Sequence, residues 1–180
     1  MISTHVENLP LFLVGFMASG KTAVGAHLAS MLLRPFVDLD HEIERAWGSS
    51  IADLIGISGE PEFRRLESAA LRNASELANP VVATGGGVVL DSANRRLMAA
   101  RGVIIWLDVP FEVCWHRILC DGISRPLAPN RETAFGRYTD RLDFYREAAL
   151  RVYINAEMTI AQVATGIADL LVADAEKSKN

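Results

Sequence analysis

The chain has 180 residues, half of them hydrophobic, which suits one domain with a substantial core. Its formal net charge of −4 argues against nucleic acid or an anionic membrane surface as the main partner, so any phosphate site must be local. The first ten residues carry no lysine or arginine and no apolar run could span a bilayer, so we expect a cytoplasmic protein without a signal peptide.

Short apolar runs alternate with helical stretches along the chain. The predicted strands are Leu11–Val14, 35–39, 81–84, 103–107 and 151–154. The predicted helices are 21–33, 40–47, 50–57, 61–78, 92–100, 111–119, 131–149 and 159–173. Because the strands are almost wholly apolar, we expect an α/β fold in which helices cover both faces of a parallel sheet. Functional residues then belong at the carboxyl ends of the strands.

Residues 15–22 read GFMASGKT, a phosphate-binding loop between the first strand and the first helix. Gly15 and Gly20 let backbone amides turn toward phosphate oxygens, Lys21 would reach the β and γ phosphates, and Thr22 would offer its hydroxyl to magnesium. The alternative is a plain glycine turn, which needs neither the lysine nor the threonine. We predict that ATP is bound by Gly15, Ala18, Ser19, Gly20, Lys21 and Thr22.

The second strand ends in two carboxylates, Asp38 and Asp40, which strand alternation places on one face. Magnesium bound to a nucleotide would balance them, with Asp38 nearer the metal and Asp40 nearer a substrate hydroxyl. The alternative is a polar turn in which Asp40 caps the next helix.

Arg64 occupies an unusual place, close to the beginning of a predicted helix. A cation is unfavourable there, so the helix could be presenting the guanidinium to an anionic ligand, with Glu67 holding it in place. The alternative is an ordinary surface ion pair.

Three consecutive glycines, Gly85, Gly86 and Gly87, follow the third strand. They imply close approach of a ligand to bare backbone; the alternative is a loose turn.

Cys114 and Cys120 are six residues apart on a predicted helix and are expected to be free thiols.

Residues 120–130 contain Gly122, Pro126 and Pro129, so they cannot continue a helix and are predicted to form a mobile lid. Arg125 in that loop could reach the transferring phosphoryl group when the lid closes. Arg141 and Tyr145 are spaced to share one helix face, and Arg141 could make a two-pronged contact with a substrate carboxylate. The alternative is that Arg125 and Arg141 are both ordinary solvent-exposed surface residues.

In this order the motifs resemble the shikimate kinase family. They are GFMASGKT, FVDLD at 36–40, GEPEFRRLE at 59–67, TGGG at 84–87, RPL at 125–127 and the 141–145 stretch. The resemblance spans most of the chain and implies a three-layer fold like that of P-loop nucleoside monophosphate kinases, with five parallel strands in the order 2-3-1-4-5. It also implies a single domain over 1–180, with a substrate-binding insertion at 40–78 and the lid at 120–130. We expect a monomer.

The resemblance implies that the γ-phosphoryl group of ATP is transferred to the 3-hydroxyl of shikimate, a step toward chorismate and the aromatic amino acids, with Mg²⁺ present. Asp40 would contact the shikimate hydroxyls and accept the proton, and the carboxylate would lie against Arg64, Arg141 and backbone at Gly85, Gly86 and Gly87. Lys21 and Arg125 would stabilise the phosphates, Thr22 and Asp38 would place magnesium, and Arg117 would stack on adenine.

The chain departs from the family pattern at two places. Ala18 stands where glycine is usual, so a left-handed backbone there would be strained. Asp143 stands where proline is common, and this acid must point away if Arg141 is to bind an anion. Two other functions stay open: a kinase of another small hydroxy acid such as gluconate, and a nucleotide-binding regulatory module without catalysis.

Overall fold

A computed structural model describes residues 9–122 and 126–177. Its sheet has five strands, all paired in parallel, in the order β2-β3-β1-β4-β5. The strands are β1 Leu11–Val14, β2 Phe36–Asp38, β3 Val81–Ala83, β4 Val103–Asp108 and β5 Leu150–Tyr153. The predicted class and strand order are confirmed, and the predicted strand ends are off by two residues at most.

The helices are α1 Lys21–Leu32, α2 Leu39–Trp47, α3 Ile51–Ser75, α4 Ser92–Arg101, α5 Phe111–Asp121, α6 Arg131–Thr139, α7 Leu142–Tyr145 and α8 Ile160–Lys177. Helix α3 bends at Gly59, whose φ of 81° and ψ of 165° are not helical, which separates the two segments predicted there. A short 3-10 turn, Val88–Leu90, precedes α4.

The single helix predicted over 131–149 is wrong, because the chain tightens between α6 and α7. The amide of Arg141 donates to the carbonyl of Tyr138, three residues back, and Leu142 then begins a new four-residue helix. Tertiary contacts made by Arg141 and Tyr145 outweigh the helical pattern at this point.

Alternate residues of β1 enter two different cores. Leu11 and Leu13 pack in a cluster with residues of α1, α5 and α8, whereas Phe12 and Val14 pack with residues of α3, α4 and α7. Both faces of the sheet are therefore covered, as predicted. The carboxyl ends of the strands are left as the open edge on which a site can form.

The two cysteines are not bridged to each other, as the sequence predicts. Cys114 is buried, Cys120 is exposed, and neither forms a disulfide. Among the described helices, none combines the length and the apolar character needed to cross a membrane.

Candidate active site

A cavity of about 840 Å³ lies where the carboxyl ends of the strands meet. One part of its lining is the phosphate loop after β1. The other part comes from residues that follow β2 and β3, from α3 and α5, and from Arg141, which directly precedes α7. The predicted site residues among its lining are Ala18, Ser19, Gly20, Lys21, Thr22, Asp38, Asp40, Arg64, Gly85, Gly86, Gly87, Arg117 and Arg141. The cavity thus has one wall suited to phosphates and another that carries buried charges.

The phosphate loop is folded around the ammonium group of Lys21. Lys21 Nζ donates to the carbonyls of Gly15 at 3.0 Å and Phe16 at 2.7 Å, and to Ser19 Oγ at 3.3 Å. Burial lowers the pKa of Lys21 to about 8. At Gly15, φ is 147° and a Cβ would lie 2.8 Å from the carbonyl oxygen of Leu107, so this position requires glycine.

Ala18 has a φ of 57°, so the left-handed conformation that makes alanine costly is present in the loop. Its carbonyl accepts a hydrogen bond from Arg117 Nη1 at 3.1 Å. Arg117 on α5 therefore braces the strained turn, in addition to lining the cavity.

Asp38 joins the second strand to the phosphate loop. Its Oδ1 accepts from the amides of Asp40 at 3.0 Å and His41 at 3.3 Å, and its Oδ2 accepts from Thr22 Oγ1 at 2.6 Å. Asp38, not Asp40, is therefore the cap of α2. The strand argument for a shared face is also wrong, because β2 ends at Asp38 and Asp40 belongs to the first turn of α2; both nevertheless line the cavity.

Asp40 and Glu67 place unsatisfied carboxylate oxygens in the cavity wall. Asp40 Oδ1 and Glu67 Oε1 are buried and have no hydrogen-bond partner among the residues that the structure describes. Burial, with a smaller contribution from the nearby Glu67 charge, raises the pKa of Asp40 to about 6. Burial also raises the pKa of Glu67, against the opposing effect of Arg64.

Two arginines reach the cavity in different electrostatic settings. Arg64 Nη1 donates to Glu67 Oε2 at 2.7 Å and its Nη2 donates to Glu60 Oε1 at 3.0 Å. Arg141 is only 2% exposed, and within the described part of the chain it has no ion-pair partner. Burial lowers the pKa of Arg141, as expected for an uncompensated cation.

The three glycines form a floor that side chains press against. A Cβ on Gly85 would lie 2.1 Å from Glu67 Oε1 and 3.1 Å from Asp40 Oδ1, and one on Gly87 would lie 2.5 Å from the Arg64 guanidinium. At Gly86, Met17 N and Arg141 Nη1 would be 3.3 and 3.4 Å away. The glycines give space to the charged side chains of the site as well as to a ligand.

We expect Gly85→Ala to lower the free energy of unfolding by about 1–3 kcal/mol, because the added methyl displaces Glu67 from Arg64. The variant should also bind more weakly the acceptor, that is, the substrate that would receive the phosphoryl group. Gly166→Ala is the matched control, since a Cβ there meets nothing within 4 Å. Thermal denaturation and steady-state kinetics measure both. Equal behaviour of the two variants would contradict the packing described for the floor.

Comparison with known proteins supports the family resemblance that the sequence motifs indicate. The family model for shikimate kinase matches residues 17–172. The chain belongs to the shikimate kinase family. A shikimate kinase of Synechococcus sp. is 39% identical over 163 residues, covering 89% of this chain and 86% of the relative. One of Aromatoleum aromaticum is 45% identical over 140 residues, covering 76% and 79%.

Solved structures agree with this membership. The shikimate kinase from Acinetobacter baumannii in complex with shikimate is 34% identical, with a TM-score of 0.88 over 94% of this chain and 97% of that one. A gluconokinase from Sinorhizobium meliloti has a TM-score of 0.63 at 15% identity, which shows a shared fold alone.

Two further predictions for this shikimate kinase family member concern Asp143 and the segment around Arg125. Asp143 points into solvent, with 88% of its side chain exposed, and pairs with Arg146, so it is directed away from Arg141. Arg125 lies outside the described residues, and its role in the lid stays a prediction. Pro126 and Leu127, just beyond it, line the cavity.

Sequence reasoning missed two groups in this shikimate kinase site. Glu60 accepts from Arg64 and also pairs with Arg137 Nη2 at 3.2 Å, which joins α3 to α6. The second group is an apolar wall that follows β5 and includes residues of α8. It comprises Ile154, Met158, Ile160 and Val163. The Glu60 to Arg64 spacing was a readable helical pair, but the link to Arg137 spans 77 residues and has no local sequence pattern.

Proposed function

We propose that this chain transfers the γ-phosphoryl group of ATP to the 3-hydroxyl of shikimate, using the cavity residues in the roles given below. The observation that supports this most strongly is that one cavity is lined both by the phosphate loop and by a glycine-floored pocket with one buried arginine, Arg141, and one half-buried arginine, Arg64. Neither half alone distinguishes a kinase of small acids from other nucleotide-binding proteins.

On the acceptor side, we assign Arg64 and Arg141 to the carboxylate of shikimate. Arg141 is buried beside Gly86, and a carboxylate would give its guanidinium the partner it lacks among the described residues. Arg64 is held in place by Glu60 and Glu67, which keeps its planar group oriented before the acid arrives. Backbone at Gly85, Gly86 and Gly87 closes the floor of the pocket.

Asp40 is assigned as the group that accepts the proton of the attacking hydroxyl. Its Oδ1 is buried and has no partner within the described part of the chain, so it is available to a hydroxyl donor. With a pKa of about 6, the group is ionised at neutral pH and still basic enough to take a proton. The O–H bond breaks as the new O–P bond forms, and the proton passes to the carboxylate. The bond between the γ-phosphorus and the β–γ bridging oxygen breaks at the same time, and ADP is the leaving group.

On the nucleotide side, Lys21 and the loop amides bind the phosphates, and the apolar wall with Arg117 suits a planar base. Thr22 and Asp38 fit a magnesium site, because they bring a hydroxyl and a carboxylate together beside the loop and oxygen is the ligand that Mg²⁺ prefers. When bound, the ion would neutralise charge on the phosphate oxygens.

The segment 40–78, which holds α2 and α3, is proposed as the acceptor-binding insertion because it supplies Asp40, Arg64 and Glu67. The lid at 120–130 and the single functional unit over 1–180 are kept as part of the same proposal, as are the monomeric state and the cytoplasmic location.

Product formation with a panel of acids tests the function. Purified protein with ATP and Mg²⁺ should phosphorylate shikimate, with quinate and gluconate as matched hydroxy acids that differ in ring and chain geometry. Turnover of gluconate but not shikimate would overturn the assignment. ATP binding without turnover of any acid would favour the regulatory module instead.

The affinity for ATP is expected to fall as the pH rises above about 8. Burial lowers the Lys21 pKa from 10.5 to about 8, so the free protein loses this cation above that pH, while phosphates favour the charged form. Isothermal titration between pH 7 and 9.5 measures this. Lys21→Met should bind weakly with little pH dependence, and the same slope in that variant would exclude Lys21 as the cause.

A further inference from the structure

Arg95 lies on α4 and takes no part in lining the active-site cavity. Its side chain is nevertheless mostly buried, with 18% exposed. Such a cation, held away from solvent and outside the binding site, needs a structural explanation.

The guanidinium of Arg95 joins two chain segments that both border the acceptor pocket. Its Nη1 donates to the carbonyl of Val89 at 2.7 Å, in the 3-10 turn that directly follows Gly87. Its Nε donates to Glu147 Oε2 at 2.8 Å, and its central carbon lies 4.4 Å from the centre of the Phe144 ring. One planar group thus contacts the turn that follows the glycine floor and the segment around α7.

Helix α7 has four residues, too few to hold its own position, so tertiary contacts must place it. On the cavity side, the Tyr145 hydroxyl donates to the carbonyl of Gly86 at 2.5 Å. On the opposite side, the contacts of Arg95 with Phe144 and Glu147 provide the second fixed point. Arg141 immediately precedes α7, so the position of its guanidinium depends on both.

We infer that Arg95 is a positioning residue for acceptor binding, which holds Arg141 against the glycine floor by joining Val89 to Phe144 and Glu147. The inference rests on the proposed role of Arg141 in binding the shikimate carboxylate. Arginine suits the task because its planar fork donates in two directions while its face covers an aromatic ring, which a lysine ammonium does not reproduce.

The test is steady-state kinetics of Arg95→Met in the full chain. We expect the KM for shikimate to rise about tenfold, with kcat and the KM for ATP within about threefold of the parent, because the phosphate loop makes no contact with Arg95. Arg95→Lys should recover only part of the loss. Arg96→Met is the matched control, since Arg96 is an exposed arginine of the same helix that bonds to Ser92 within that helix.

A double-mutant cycle separates positioning from general damage to the fold. If Arg95 acts through Arg141, then adding Arg95→Met to Arg141→Ala should change the shikimate KM by less than about twofold. If the two substitutions instead raised the shikimate KM independently, so that their fold-changes multiplied in the double variant, the inference would be overturned. An unchanged shikimate KM in Arg95→Met would overturn it as well. If Arg141→Ala itself left the KM unchanged, the proposed acceptor pocket would fail, and the inference with it.

Should Arg95→Met fold poorly, Glu147→Gln provides a milder form of the same test. It removes one charged contact of Arg95 and leaves those with Val89 and Phe144 in place. We expect a smaller rise in the shikimate KM, again absent in the Arg141→Ala background. An additive effect there would overturn the inference equally.

Discussion

Asp40→Asn is expected to lower kcat about a thousandfold while the Kd for ATP stays within about twofold, because asparagine cannot accept the hydroxyl proton. The substitution keeps the size of the side chain and the contacts of its backbone with Asp38. Coupled phosphorylation assays give kcat, and equilibrium titration with ATP gives the Kd. A kcat within tenfold of the parent would exclude Asp40 as the base.

The same variant should be more stable than the parent at neutral pH, which guards against explaining lost activity by misfolding. Burial raises the Asp40 pKa from 3.8 to about 6, so above pH 6 the folded protein holds a carboxylate that would be better solvated in the unfolded chain. The gain from asparagine should therefore be present above pH 6, on the order of 3 kcal/mol, and disappear below about pH 4. Thermal denaturation across this range measures it, and a variant less stable at pH 7.5 would contradict the burial argument.

Arg141→Ala should raise the KM for shikimate about a hundredfold, because the substrate carboxylate loses a buried, charge-assisted partner. Arg141 makes no direct ion pair among the described residues, so stability should fall less than in a variant that breaks such a pair. Kinetics with varied shikimate and a denaturation curve measure the two effects. Arg146→Ala is the control, because Arg146 is exposed and pairs with Asp143, which is also exposed.

Arg64→Ala gives a contrasting pattern that distinguishes the two arginines. It should also raise the shikimate KM, but it leaves Glu67, 1% exposed, without its cationic partner. Removing one member of a buried pair costs about 3–5 kcal/mol, so this variant should lose more stability than Arg141→Ala. Identical stability of the two variants would show that the Glu67 contact is less important than its geometry indicates.

Local patterns were enough to predict the phosphate loop, because strand, glycine loop and helix are adjacent in the chain. Gly15 lies in the turn after β1, and Lys21 and Thr22 begin α1 and line the cavity, whereas Gly15 does not line it. Their binding of a nucleotide stays a prediction. That Arg64, the three glycines and Arg141 lie in one pocket could be predicted only from the family resemblance and from the rule that the carboxyl ends of parallel strands lie at one edge of the sheet. That rule gives a common edge but no side-chain contacts.

The errors arose where long-range contacts decide local structure. Asp38 caps α2 because its carboxylate is also fixed by Thr22, sixteen residues away, which no helix-cap pattern records. The break between α6 and α7 depends on Arg141 and Tyr145 reaching the floor at Gly86. The contact of Glu60 with Arg137 likewise joins helices that are distant in sequence.

A crystal structure with shikimate and ADP tests the central claim most directly. The account predicts that the carboxylate of shikimate contacts the guanidinium groups of both Arg64 and Arg141, with its 3-hydroxyl beside Asp40 and facing the phosphates held at Lys21. Shikimate bound outside this cavity, or with its carboxylate turned toward Lys21, would contradict it.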